Sequence, residues 1–435
     1  MPALRIGPVR PLYLATLCGL GCSRLEPPKP ASARSEAACP DGNAPESSAA
    51  PTELVRADSF PIGCPSWWYN FAFVAEGSAT TVIGSSLCQG DSDAWMLRSF
   101  DLATGDIDWE RSGDEAGGST LGWDVAVSRA DAFPKRRLAA TGMRYHYPTS
   151  AYVQVMDAES GATVAEIESA EADRMNAVAW ADDDLLTASV PRDADEPLVS
   201  LFSGAELAGA LSVDDAAMSY SVPLSGGHEA PLTPVGDVDG DGLDDVVSRG
   251  AASAAILLHS EDLRFIDAFT TAQTLDALQF DTRLSVTSAG DVDGDGLTNF
   301  AVATRASGGR YGHAVAIFDG QSTAPMSTAY LSDDLEGDEN QFDVAVTDLG
   351  DIDGTGHDTL FVVSGDSESW QGNSSAWLLR PPPCGRVDIT DAGAPPAQMN
   401  PSNIGVAWLA AGEGWVSLDL DAEAGYNTNP TLVHW

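Results

Sequence analysis

With 435 residues, the chain has room for two ordinary domains or one large repeat-built domain. Its 42 glycines and 26 prolines, with only 20% charged residues, argue against helical bundles and for many short strands joined by turns. The 22 Lys+Arg against 65 Asp+Glu would repel a phosphate backbone and disfavour nucleic acid as a partner, whereas carboxylate in such excess serves solubility and the ligation of hard cations.

In chain order, residues 1–21 come first. They hold Arg5 and Arg10, no acid, and an apolar run from Leu12 to Gly21, the shape of a signal peptide. That run is too short to span a bilayer, for which about 20 residues are needed. It ends Gly19-Leu20-Gly21-Cys22-Ser23, which resembles the lipobox of bacterial lipoproteins, where cleavage precedes a cysteine that is then diacylated. Gly19 stands where that family prefers Leu. The resemblance implies export and lipidation at Cys22, in the cell envelope, with ordinary secretion as the alternative.

Residues 22–60 are rich in Pro, Ala, Ser and Glu and poor in large apolar residues. Such a stretch cannot offset its chain entropy by burial and is expected to be a disordered tether. From residue 61 to 435 the pattern changes to apolar segments of strand length separated by turn residues.

One segment recurs. It is Ala94–Asp101, then Tyr152–Asp157, Leu198–Ser203, Ala255–His259, Ala314–Asp319, Ala376–Arg380 and Trp415–Asp419. Each copy follows another short apolar run: Ala72–Val74, Leu138–Ala140, Asp184–Leu186, Asp245–Val247, Phe300–Val302, Leu360–Val363 and Val406–Leu409. Seven copies at intervals of roughly 40 to 60 residues indicate a radial repeat. The expected fold is all-β, a seven-bladed β-propeller whose closure leaves no long sheet edge unpaired.

The motif richest in chemistry is Asp237-Val238-Asp239-Gly240-Asp241-Gly242-Leu243-Asp244-Asp245. It is echoed by Asp291-Val292-Asp293-Gly294-Asp295-Gly296-Leu297-Thr298-Asn299 and by Asp351-Ile352-Asp353-Gly354-Thr355-Gly356-His357-Asp358-Thr359. Carboxylates at loop positions 1, 3 and 5 converge when the chain curls, and glycine at position 6 permits the turn. Oxygen-only ligands in such a loop select Ca2+. Position 12 holds Ser248, Val302 and Val362 in place of the bidentate Glu of an EF-hand. A strand-like run, not a helix, follows each loop.

Gly-Asp-x-Asp-Gly-Asp-Gly followed by a strand resembles the FG-GAP repeat of the integrin α-subunit propeller. The likeness is close over about residues 230–380, although the Gly-Ala-Pro end survives only as a trace at Arg249-Gly250-Ala251. It implies one site made by Asp237, Asp239, Asp241, Asp245 and the Leu243 carbonyl. A second would use Asp291, Asp293, Asp295, Asn299 and the Leu297 carbonyl. The third, with Asp351, Asp353, Thr355 and Thr359, carries the least charge and is either the weakest site or an Asx-rich turn.

Asp101-Leu102-Ala103-Thr104-Gly105-Asp106-Ile107-Asp108-Trp109 resembles the repeat of quinoprotein-type propellers, and Asp157–Gly161 repeats its turn without the Trp. We expect Trp109 to pack between blades rather than to touch a cofactor.

Cys39, Cys64, Cys88 and Cys384 show no CxxC spacing, so zinc is not indicated. In an oxidising compartment two disulfides are expected, with three connectivities open. No G-x-S-x-G, H-E-x-x-H or phosphate-loop motif occurs, and the six histidines have no ligand spacing. Two functional classes therefore stand: an envelope-anchored binding or scaffold module for a protein or glycan partner, and a propeller enzyme, either a polysaccharide lyase or a quinoprotein-like dehydrogenase. The missing catalytic set favours the first.

Overall fold

In the computed structural model the described residues are 55–56, 66–76, 79–88, 94–101, 104–113, 120–129, 132–144, 150–169, 172–191, 196–221, 232–249, 254–258, 265–270, 279–307, 313–319, 325–331, 342–350, 358–366, 375–379, 385–388, 409–412, 415–418 and 431–434. The expected signal segment lies outside them, as do Cys22, Cys39, Cys64, Cys384, Asp351, Asp353 and Thr355. Apart from two short 3-10 turns, every element among the described residues is a strand, which bears out the all-β expectation.

The earliest strand, β1 (Val55–Arg56), pairs with the last and is taken up below. A first sheet holds β2 (Ser66–Glu76), β3 (Ala79–Cys88), β4 (Ala94–Asp101) and β5 (Ile107–Ser112). The second holds β6 (Thr120–Val127), β7 (Arg137–Arg144), β8 (Ser150–Asp157) and β9 (Thr163–Ser169). The third holds β10 (Ala172–Ala181), β11 (Asp184–Pro191) and β12 (Leu198–Phe202); the chain then forms β13 (Gly209–Ser212) before β14 (Met218–Ser221) completes that sheet. Strand β13 pairs in parallel with β9 and so straps the third sheet to the outer edge of the second.

The fourth sheet is β15 (Leu232–Gly236), β16 (Asp245–Arg249), β17 (Ala254–Leu258) and β18 (Phe265–Thr270). The fifth is β19 (Gln279–Gly290), β20 (Asn299–Ser307), β21 (His313–Asp319) and β22 (Pro325–Leu331). The sixth has β23 (Phe342–Asp348), β24 (Leu360–Asp366) and β25 (Ser375–Leu379), after which β26 (Gly385–Asp388) crosses back to pair in parallel with β22. The seventh combines β27 (Leu409–Gly412), β28 (Trp415–Leu418) and β29 (Thr431–His434) with β1. The first strands pack in succession, β2 on β6, β6 on β10, β10 on β15, β15 on β19, β19 on β23 and β23 on β27, and β27 packs on β2.

The recurring segment of the sequence falls on the third strand of the first six sheets and on β28 of the last. Its partner run falls on the second strand in sheets two to six. In the first sheet Ala72–Val74 lies in the first strand instead, and β3 completes the hairpin. The stretch expected as tether up to residue 60 contributes β1, because Val55 and Arg56 find register partners in His434 and Val433. Two β-forming residues beside an open strand have backbone hydrogen bonds to gain.

Packing explains why the strands read as continuous apolar runs. All eight residues of β8 are buried. Tyr152 and Met156 join Ile83, Leu97 and Leu121 of the first and second sheets, whereas Val153 and Val155 join Trp180, Leu185 and Phe202 of the third side. Successive side chains point to opposite faces, and here both faces are covered. The same alternation holds in β20, where Phe300 and Val302 face the fourth sheet's Val235 and Val247 while Ala301 and Ala303 face the sixth sheet's Val346 and Val362. Each fully buried large apolar side chain contributes about 1.5–3 kcal/mol. The core is thus a series of interfaces between neighbouring sheets.

One irregularity stands out in β6. Between the register pairs Leu121–Gly142 and Val125–Ala140, three residues of β6 oppose the single Thr141 of β7. This bulge leaves Trp123 exposed, at 5.4 Å from the Trp95 ring. It also turns the Asp124 carboxylate to accept hydrogen bonds from Val125 N–H (3.0 Å) and, across the sheet junction, from Val178 N–H (2.9 Å). Burial pushes that carboxyl up to about 7, the two amide donors opposing the shift.

Candidate metal-binding loops

The first two Asp-rich motifs each connect the first strand of a sheet to its second, β15 to β16 and β19 to β20. Gly240, Gly242, Gly294 and Gly296 have φ between 76° and 90°, a left-handed backbone that glycine adopts at no steric cost. The curl brings carboxylate oxygens of Asp237, Asp239 and Asp241 within 4.8 Å of one another, and does the same for Asp291, Asp293 and Asp295.

Amide donors hold these carboxylates in place. Asp237 accepts from Gly240 N–H through Oδ1 (2.7 Å) and from Gly242 N–H through Oδ2 (3.0 Å). Asp291 repeats both contacts with Gly294 (2.7 Å) and Gly296 (2.9 Å), and its Oδ1 also takes Asp295 N–H (3.0 Å). Asp241 and Asp295 accept from Leu243 and Leu297 N–H in turn. Burial pushes the Asp293 carboxyl above its ordinary range, and the neighbouring Asp295 and Asp291 carboxylates push the same way. A cation placed among them would relieve that repulsion.

Position 9 lies deeper than the resemblance implied. Asp245 and Asn299 are 0% and 1% exposed. Asp245 Oδ2 accepts from Val238 N–H (3.2 Å), and Asn299 Oδ1 accepts from Val292 N–H (2.6 Å), so each clasps its loop from below. The carboxylates brought within 4.8 Å of one another are those at positions 1, 3 and 5. In the third motif only positions 8 and 9 are described: Asp358 and the fully buried Thr359, whose Oγ1 has no hydrogen-bond partner. Leu243 keeps an exposed side chain at 37%.

The donor set fits calcium in the first two loops: clustered carboxylate oxygens with no nitrogen or sulfur among them, on a loop pre-curled by its own amides. Asp237, Asp239 and Asp241 would hold one ion, and Asp291, Asp293 and Asp295 another.

Position 8 did not stand out in the sequence, yet it links the loops to their neighbours. Asp244 N–H donates to Asp182 Oδ2 (2.8 Å) in the β10–β11 turn, and Arg129 reaches Asp244 at 3.3 Å and Asp182 at 3.6 Å. Thr298 N–H donates to the Asp237 carbonyl (2.9 Å), its side chain lying against Gly236 while Leu297 lies against Gly240. The Asp358 carboxylate covers Gly290 and leaves no room there for a side chain. Burial, with the Asp358 carboxylate beside it, pushes Asp348 up to about 7. The available signal was a polar residue at this position in all three motifs.

After the third strands of the first two sheets, Asp101 and Asp157 each close a turn by accepting an N–H three residues on, from Thr104 (3.1 Å) and Ser160 (2.9 Å). Trp109 of β5 lies over the second of these turns and donates Nε1–H to the Ala158 carbonyl (2.9 Å), and Arg111 donates to the Gly161 carbonyl (2.9 Å). Trp109 therefore packs between sheets. The remaining motif residue, Cys88, ends β3, where its register partner is Ser66.

No family model matches the chain, and no curated protein matches it either. Among solved structures it is similar to the β-propeller domain of Cps50 (Swd1) from Myceliophteria thermophila, with 11% identity, a TM-score of 0.45, and coverage of 87% of this chain and 98% of that one. It is also similar to the β-propeller domain of the Trilobed protease from Pyrococcus furiosus, described as having an open velcro topology, with 10% identity, a TM-score of 0.42, and coverage of 85% and 96%. Among the described residues no helix is long and apolar enough to cross a membrane.

Proposed function

We propose that this chain is a calcium-binding, seven-bladed β-propeller of the FG-GAP type that acts as a binding or scaffold module for a protein or glycan partner, exported and anchored to the bacterial envelope through a lipid on Cys22. The observation that carries the calcium reading is the pair of carboxylate clusters, Asp237–Asp239–Asp241 and Asp291–Asp293–Asp295, each with its oxygens within 4.8 Å. The blade reading is supported by the seven sheets of the described residues and by the succession of first-strand contacts that returns from β27 to β2.

Calcium here is structural. It neutralises two clusters on one set of first-to-second-strand connections and so stiffens the surface next to them, which lowers the ordering cost of any partner that docks there. Calorimetric titration of the full chain with calcium through about 0.1 to 1 mM, the range of extracellular modules, is expected to show two ions bound. No bound calcium over that range would reject the reading. For the anchor, palmitate labelling in the native host is expected for the wild type and lost in Cys22→Ser; equal labelling of both would reject lipidation at that cysteine. A quinone absorption band in the purified protein would move the assignment to a dehydrogenase.

A further inference from the structure

We propose that the two Asp-rich loops are coupled, so that an ion bound in one raises the affinity of the other; this rests on the calcium reading above. The coupling element is the peptide unit between Leu297 and Thr298. Its N–H, on Thr298, donates to the backbone carbonyl of Asp237 at 2.9 Å, and Asp237 is the first residue of the neighbouring cluster, with both carboxylate oxygens already fixed by Gly240 and Gly242. The carbonyl at the other end of the unit belongs to Leu297, two residues after Asp295, whose Oδ1 accepts Leu297 N–H at 2.9 Å.

A movement of Asp295 towards an ion is therefore passed through Leu297 to a hydrogen bond that holds Asp237. Side chains reinforce the link. Thr298 packs against Gly236, the residue just before Asp237, and Leu297 approaches Gly240, whose N–H fixes the Asp237 carboxylate. Two short loops that share a hydrogen bond and two packing contacts share their ordering cost, and the ion that binds first lowers what the second must supply. Repulsion between the two bound ions opposes this and is weakened by salt, whereas the shared contacts act at van der Waals range.

The test measures calcium binding by calorimetry at 0.15 M salt in the full chain, in Asp293→Ala, which disables the second loop, and in Asp239→Ala, which disables the first. The ion remaining in Asp293→Ala should bind about threefold to tenfold more weakly than in wild type, the worth of one hydrogen bond. The ion remaining in Asp239→Ala should weaken by the same factor, because coupling between sites is reciprocal. Thr298→Pro, which removes the N–H and leaves both clusters intact, should still bind two ions but independently. Should that variant fail to fold by circular dichroism, the reciprocity of the two alanine variants decides alone. Two ions bound in wild type, each with an affinity unchanged or tightened when the other loop is disabled, overturns the coupling and leaves the calcium reading standing. No binding in wild type overturns both.

Discussion

Trp109 donates its indole N–H to the backbone carbonyl of Ala158 at 2.9 Å, joining the last strand of the first sheet to the turn after the third strand of the second. The ring rests on Gly161, which has φ of 65° and where a Cβ would come within 2.7 Å of the indole. Substitution Gly161→Ala adds both backbone strain and overlap, and should cost about 1–3 kcal/mol. Urea unfolding should show an earlier midpoint with an unchanged slope. Trp109→Phe, which keeps much of the apolar area and loses the hydrogen bond, should cost less, about 1 kcal/mol.

Asp124 supplies a pH dependence. Its carboxyl is raised from 3.8 to about 7 in the folded chain, so between those values the folded form binds more protons than the unfolded form. Stability from this group is fully present below the unfolded value, falls as pH rises through the window, and is flat above about 7. Asp348, also raised to about 7, adds a fall of the same sign. Melting temperatures of the wild type from pH 4 to 8 should decline with rising pH in this range, and Asp124→Asn should remove part of the decline, on the order of 2 kcal/mol after solvent screening. An identical slope in the variant would count against the buried carboxyl.

The two clusters should make stability calcium-dependent. Ions that bind only the folded chain raise the melting temperature by mass action, by about 1.4 kcal/mol of stability for each tenfold excess over the dissociation constant. The double variant Asp239→Ala, Asp293→Ala should lose nearly all of the calcium-induced rise. Asp353→Ala, in the motif with the least charge, should lose less. Differential scanning calorimetry with calcium and with chelator separates these outcomes.

Cys88 ends β3, where its register partner is Ser66, and Cys64 stands two residues before Ser66 in the sequence. Non-reducing peptide mapping of envelope-derived protein is expected to recover two disulfides among Cys39, Cys64, Cys88 and Cys384 and to settle which of the three connectivities forms. Four alkylatable thiols in the folded protein would rule out an oxidising compartment.

Much of the fold was legible because burial on both faces makes the strands continuous apolar runs, and Ala94–Asp101 and Ala314–Asp319 read directly as strands β4 and most of β21. What escaped were pairings between distant residues. Strands β13 and β26 are four residues each, and they pair in parallel with strands of a neighbouring sheet, leaving no local turn signal. The bulge at Trp123 and Asp124 depends on Thr141 and on Val178 of another sheet. In the loops, positions 1, 3 and 5 were legible since convergence follows from local curl. The clasp by Asp245 and Asn299 and the contact of Thr298 with Asp237 were not, because both are set by tertiary packing.

Val55 and His434 are register partners in the seventh sheet, and this has a kinetic consequence. The first six sheets pair strands near in sequence, so each can assemble without the far end of the chain. The pairing of β1 with β29 closes a loop spanning most of the chain, and by the logarithmic dependence of closure entropy on length it costs about 3 kcal/mol more than a ten-residue hairpin. It cannot form until residues 431–434 have been made. Strand β1 therefore waits without its native strand partner until β29 arrives between β28 and β1.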